Sequence, residues 1–411
     1  GVNGRRFTEK LQPRFDAINL PLRFFEPRLP AGGHAPDALE LEATVRYRGP
    51  QGKAQSRTVR KTYDRKAFPH APRPEVAVLG RVGGLDRRML NQEAWIGGRA
   101  QIDRMVADCR RAGLNVIQPA VYHSDGYRCR RDADAPEEAF DPLAYLIAQC
   151  HEHDIRVEPY LTAMLAGSAP GTPGGEHPEV LAVDRDGKTG RRACSHNGRY
   201  RRIIAGIVED LCRRYDVDGV GLDYIRTKGV CYCDACRAGY RKRTGRELAD
   251  DARRLTPPKE LIAWQEEGVG AMVQAVHDVV ARHRPKAITW VYAYVASAPS
   301  DRHATLQGQI SHVWLNKGWI DGIIPMVYPR NPVLIFGPVQ DYRTAVRRPE
   351  KVWPILDLYG GRAPDGTYVP ACLHYIVPQI RAADRIGCEG VAFYFYNYLS
   401  DELIEILGQR P

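Results

Sequence analysis

Residues 215–236 read YDVDGVGLDYIRTKGVCYCDAC, a short apolar run that passes into a loop with three closely spaced cysteines. Side chains alternate along a strand, so Gly219, Gly221 and Asp223 share one face and Val220, Leu222 and Tyr224 the other. A small, polar face backed by a bulky apolar one suits a closed barrel. The small residues point to a crowded axis, and the apolar ones lie under outer helices. Asp223 then falls at the carboxyl end of the strand, where barrel enzymes place their chemistry.

On either side of this strand (218–224), strand and helix patterns alternate from residue 75 onward. Further strands are expected over 75–82, 115–122, 156–161, 287–295, 322–328, 352–359 and 390–397, with helices between them. Asp141-Pro142 and Ser400 mark helix starts. Eight such units predict an α/β fold, a (β/α)8 TIM barrel with a small β-rich N-terminal segment. A doubly wound sheet is the alternative, but no Gly-rich phosphate fingerprint follows the first strand.

The expected organisation is a basic β-rich accessory segment with a Pro-rich linker over 1–74, then the barrel over 75–411. In the first part, 39–48 and 56–63 predict a hairpin across Gly49-Pro50-Gln51-Gly52. The net charge of +10 lies mostly there: residues 1–74 hold 15 Lys/Arg against 7 Asp/Glu, leaving 44 against 42 in the remainder. No nucleic-acid motif accompanies the excess, so a solvated Arg-rich surface is expected, with an upstream domain or an anionic surface as the other possible contact. No apolar run approaches the roughly 20 residues that cross a bilayer. The chain begins Gly1-Val2-Asn3-Gly4, with neither Met nor a signal-peptide h-region, so a leader is expected to have been removed or never included.

Three carboxylates are expected to point inward near the catalytic rim. Glu158 shares its strand face with Arg156 and Tyr160, Asp357 shares its face with Trp353 and Ile355, and Asp223 is the third. Two acids across a sugar-sized cleft are what glycosidic cleavage requires: one protonates the leaving oxygen, the other attacks or activates water. Tyr122, Tyr160, Tyr294, Tyr328, Tyr396 and Asn397 lie on or beside strand ends, where rings stack on pyranose faces and amides bind hydroxyls. His123, Ser124 and Asp125 follow the second strand and could bind hydroxyls. Asp216, Asp218 and Asp321 sit at amino ends and read as structural.

Ten cysteines in 411 residues do not make a disulfide scaffold. Cys231, Cys233 and Cys236 form C-x-C-x2-C, and fold geometry could bring Cys194 to the same rim. Four thiolates would make a closed tetrahedral zinc site. A disulfide or reduced thiols are the alternatives, and a catalytic metal lacks the His/carboxylate set it needs.

The stretches RRYDVDGVGLDYIR, CYCDAC and WLNKGWIDGIIPMVY resemble the glycosyl-hydrolase-like family ten group of bacterial (β/α)8 proteins. That group is similar to the hydrolase domain that cuts poly-N-acetylglucosamine. The resemblance spans roughly 75–405. It implies Asp223 as the catalytic acid, Tyr224, Arg226, Met326 and Tyr328 as cleft residues, and export to the periplasm, cell surface or medium. Where the group often has His in the third strand, this chain has Glu158, which leaves the partner of Asp223 open. The expectation is a glycoside hydrolase that needs no cofactor for catalysis and can carry a structural zinc. The alternative is a non-catalytic carbohydrate-binding barrel in cell-surface polysaccharide handling.

Overall fold

Strands and helices alternate through most of the chain, as the sequence predicts. The computed structural model describes residues 38–48, 54–64, 87–92, 98–124, 126–127, 140–300, 306–328, 335–362, 368–371 and 373–408. The chain divides into two units, Gly1–Val78 and Leu79–Pro411. In the first, β1 (Ala38–Arg48) and β2 (Ala54–Asp64) form the expected antiparallel hairpin, with Leu39 opposite Tyr63 and Arg48 opposite Ala54.

The second unit begins with β3 (Arg87–Gln92), α1 (Arg99–Ala112), β4 (Val116–His123), β5 (Gly126–Tyr127), α2 (Pro142–His151), β6 (Arg156–Val157), β7 (Tyr160–Thr162) and α3 (Pro173–Glu176). It continues through β8 (Leu181–Val183), β9 (Thr189–Ala193), α4 (Gly198–Arg214), β10 (Gly219–Asp223), α5 (Asp234–Thr244), α6 (Leu248–Ala252), α7 (Lys259–His283) and β11 (Ile288–Ala293). It ends with α8 (Ser311–Asn316), β12 (Gly322–Val327), α9 (Gln340–Ala345), β13 (Ile355–Asp357), β14 (Tyr359–Arg362), β15 (Tyr368–Pro370), α10 (Leu373–Arg385), β16 (Gly390–Tyr394) and α11 (Asp401–Gly408).

Parallel pairings run β3–β4–β7–β10–β11–β12–β13–β16 and return to β3, closing an eight-stranded barrel with β6 as the start of its third stave. Pro159 has no N–H for the ladder and splits that stave into β6 and β7. The first stave corrects the sequence expectation. The strand expected over 75–82 lies outside the described residues, and the barrel closes on β3 instead. Its sequence, RRMLNQ, has none of the β-branched residues that favour strands; pairing on both sides with β16 and β4 makes it one.

Local signals set the helices. Asp141 accepts from the backbone N–H of Leu143 and Ala144 at the start of α2, with Pro142 in the first turn. The α1 helix stops at Gly113, whose φ of 63° is readily reached without a Cβ. Along α4, Tyr200, Ile204, Val208 and Leu211 form one buried stripe. Each such side chain contributes roughly 1.5–3 kcal/mol when fully buried.

Two apolar layers result. Leu90, Ile117, Val157, Val220, Leu222, Val291, Ile323, Leu356 and Phe393 pack outward under the helices. Met89, Val116, Ala120, Tyr160, Trp290, Tyr292, Ile324, Met326, Trp353, Ile355 and Ala392 fill the interior. Glycines make room for the two interior tryptophans. A Cβ at Gly221 would stand 2.2 Å from the Trp290 ring, and one at Gly322 would stand 2.2 Å from that of Trp353.

Candidate active site

Asp223 closes β10 and shares its inward face with Gly219 and Gly221. The chain then turns sharply, because Tyr224 adopts a left-handed φ of 49°. Such a backbone costs an L-residue about 1–2 kcal/mol. The Tyr224 N–H donates to Asp223 Oδ1 at 2.5 Å, and Arg226 Nη1 lies 3.6 Å from the same oxygen. The Tyr224 ring has guanidinium groups at 4.8 Å (Arg226) and 5.4 Å (Arg192) from its centroid, and Arg226 also stands 5.3 Å from the ring of Tyr294.

Sequence reasoning missed Arg192, which nothing local marks as functional. It arrives on β9, and its Nη1 donates to the Arg226 carbonyl at 3.2 Å. Burial, then the neighbouring Arg226 cation, lowers its pKa. Two buried glutamines fix the same loop. Gln309 accepts from the Tyr294 N–H at 2.7 Å and donates to the Tyr292 carbonyl at 3.0 Å. Gln265 donates to Thr227 Oγ1, Gly229 O and Leu306 O at 2.8–3.0 Å.

Asp357 closes β13 three staves away, beside Tyr394 of β16, on the inward face with Ile355. Its Oδ1 accepts from the Tyr359 N–H at 2.9 Å. Tyr328 and Tyr394 stand beyond β12 and at the end of β16, with ring centroids 5.1 Å apart. The described rim therefore carries Asp223 with Tyr224, Arg192, Arg226 and the part-exposed Tyr294, and Asp357 with Tyr328 and Tyr394.

Four sequence expectations are corrected. Glu158 is fully buried low in the barrel: its Cγ would meet a Cβ on Gly219 at 3.1 Å. Gly219 starts β10 and Asp223 ends it, so about 13 Å of strand separates the two levels. Tyr122 is also fully buried, in the layer under the helices, with its hydroxyl on the Leu165 carbonyl. A register irregularity between Ala120 and Tyr122 turns it outward. Tyr160 fills the interior against Trp290 and Tyr292 instead of lining the opening. Tyr396 donates to Asp108 on the outer face, and burial raises its pKa.

Other expected residues take varied positions. His123 ends β4, where Ser124 bonds its Nδ1; Asn397 is exposed after β16; Met326 is buried in the interior; Asp125 lies outside the described residues. Asp218 accepts from the Val157 N–H and Asp321 from the Thr289 N–H, while Asp216 pairs with Arg284. The first two bond backbone near the amino ends of β6 and β11.

Cys194, Cys231, Cys233 and Cys236 converge, with all four sulfurs within 4.8 Å of one another. Cys194 Sγ lies 3.4 Å from Cys236 Sγ and 4.0 Å from Cys233 Sγ. A disulfide needs about 2.05 Å, whereas thiolates around tetrahedral zinc stand about 3.8 Å apart. Hydrogen bonds within the group lower the Cys233 and Cys231 thiols and raise those of Cys194 and Cys236, so it is the spacing of the four sulfurs that speaks for a metal. The donor set thus fits a structural metal such as zinc. It joins the segment after β9 to the loop after β10, where Tyr232 N–H donates to the Val183 carbonyl at 2.8 Å.

Among solved structures, the chain is similar to the PgaB (BpsB) glycoside hydrolase domain from Bordetella bronchiseptica. Identity is 15% and the TM-score 0.60, over 78% of this chain and 98% of that one. It is also similar to a β-galactosidase from the psychrophilic Marinomonas ef1 (12% identity, TM-score 0.59, 78% of this chain and 58% of that one). A third is α-L-fucosidase isoenzyme 2 from Paenibacillus thiaminolyticus (15%, TM-score 0.55, 78% and 48%). At such identities the likeness shows the fold, and the chain spans about half the length of the last two. No curated protein matches it in sequence. The family model described as glycosyl hydrolase-like 10 matches residues 117–361, more than half of the chain. A closed (β/α)8 barrel with acids on its carboxyl rim and this match lead to one conclusion: the chain belongs to the glycosyl hydrolase-like 10 family.

Proposed function

We propose that the protein hydrolyses glycosidic bonds of a poly- or oligosaccharide with Asp223 and Asp357 as its two carboxylates. The observation that carries this is that both residues end inward-facing barrel strands on the same rim. Asp223, beside Arg226, serves as nucleophile or base. Asp357 protonates the leaving oxygen. Part-exposed Tyr294, with Tyr328 and Tyr394, offers rings for stacking on sugar faces. Carboxyl groups about 5–5.5 Å apart would give retention, and about 6.5–9.5 Å inversion.

A reducing-sugar screen over a polysaccharide panel tests this, with Asp223→Asn and Asp357→Asn as controls. Release by the parent and loss in both variants is the expected result; full activity in the Asp223 variant removes that residue from the mechanism. The depth of Glu158 takes one of three expected acids off the rim and keeps a second reading in play, a barrel that binds glycan without cleaving it. Glycan binding with no reducing ends released would favour it.

The four cysteines hold one zinc ion in this reading, which ties the segment after β9 to the loop after β10. The proposed setting is outside the cytoplasm, on exported or cell-surface polysaccharide, and cell fractionation tests it. No helix of the described residues is long and apolar enough to cross a membrane.

A further inference from the structure

We propose that the sugar unit seated beside Asp223 carries a negative charge, a carboxylate or a sulfate, held by Arg192 and Arg226; this rests on the reading of the rim as a glycan site.

The argument begins with charge. Two guanidinium groups stand against one tyrosine ring, and the acid beside them is Asp223. Around Arg192, the cations Arg226 and Arg191 oppose its charge, while Tyr224 and the carboxylate of Asp223 favour it. Like charges held together in a partly buried site repel strongly, because low dielectric weakens screening. Folding accepts that cost at functional sites, where a ligand of opposite charge relieves it.

Hydrogen bonding points the same way. Arg226 Nη1 is buried and makes no hydrogen bond among the described residues; Asp223 Oδ1, at 3.6 Å, is too distant for one. A buried charged donor without an acceptor is costly, so the position suits an acceptor supplied by a ligand. Arg192 spends one nitrogen on the Arg226 carbonyl, which fixes the fork of its guanidinium. Planar guanidinium forks match carboxylate and sulfate oxygens with two parallel bonds. With one carboxylate, Asp223, against two guanidinium groups, a neutral hydroxyl would leave a net positive charge uncompensated. Tyr294, 39% exposed and under Arg226, adds an apolar face for the ring that bears the anion.

Monosaccharides have no glycosidic bond to cut, so they test the charge independently of cleavage. Glucuronate, glucose 6-sulfate, glucose and inorganic sulfate are titrated into the whole protein by NMR at low salt. One or both charged sugars should bind about tenfold or more tightly than glucose, because charge-assisted bonds are roughly twice as strong as neutral ones. Which charged sugar binds tells carboxylate from sulfate. Arg192→Gln should bring the charged-to-neutral ratio close to one. Arg192→Lys, which keeps the charge but not the fork, should fall between. Equal affinity of the parent for glucose and both charged sugars would overturn the proposal, and so would inorganic sulfate binding as well as glucose 6-sulfate. Tight binding of charged sugars with no polysaccharide cleaved would uphold it while counting against hydrolysis. Cleavage of neutral glycans only, with no charge preference, would do the reverse.

Discussion

Gly221→Ala tests the interior packing and the placement of Asp223 together. A Cβ at 221 would lie 2.2, 2.3 and 2.5 Å from Cζ2, Cη2 and Cε2 of Trp290. Carbon atoms in contact sit about 3.5–4.0 Å apart, so the ring must retreat by about 1 Å or more. It has little room: Trp290 is fully buried, with the Tyr292 ring at 4.9 Å and the Tyr160 ring at 6.3 Å. Overpacking of this kind costs about 1–3 kcal/mol. The alanine also narrows the unfolded ensemble, which offsets about 0.4–1 kcal/mol. A net loss of about 1–2 kcal/mol is expected, read as a lower urea midpoint at unchanged slope. Trp290→Phe removes the ring atoms in question, so the double variant should be more stable than the two single losses predict, by roughly 1 kcal/mol. Since Asp223 lies two residues along the same strand, glycan cleavage should fall in the Gly221 variant and recover in the double. A Gly221→Ala protein as stable as its parent, or strictly additive losses, would refute the packing argument.

Other outcomes follow from the same structure. Asp223→Asn and Asp357→Asn should each lower hydrolysis by about a hundredfold or more with unchanged circular dichroism, whereas Glu158→Gln, deep in the barrel, should show its main effect in the urea midpoint. Elemental analysis of the purified protein should give about one zinc per chain, and removal by a chelator should lower thermal stability, as Cys236→Ser should; a metal-free protein of equal stability would remove the metal from the fold. Burial raises the thiols of Cys150 to about 12 and of Cys212 and Cys388 to about 11. The folded chain therefore holds protons that the unfolded chain releases near pH 9, so these groups should lower stability as pH rises from about 9 to 11–12. Urea midpoints at pH 8 and 10.5 check the sign, and Cys150→Ala should reduce the slope.

How much of this was legible differs from residue to residue. Alternation in GVGLD correctly placed Gly219, Gly221 and Asp223 inward and Val220 and Leu222 outward, because a strand's two faces depend only on local geometry. The cysteine spacing, with Cys194 added from the order of elements, anticipated the four-sulfur cluster. Tyr122 shows the limit: one irregularity in β4 reverses the face that alternation assigns, and Pro119, just before Ala120, marks a break in the ladder without saying which later side chain changes face.

What the sequence determined by itself is the class of fold, the inward face of the fourth strand and the acid at its end, since apolar period and strand–helix order are written locally. Depth and convergence were decided by the closed sheet alone. Glu158 and Asp223 both face inward, yet the pairing of β7 with β10 sets one at the base and the other at the rim. The return of β9 brings Arg192 to a ring 32 residues further along the chain. Such distances depend on register and on loop paths that join residues far apart in the chain, and no window of sequence carries them.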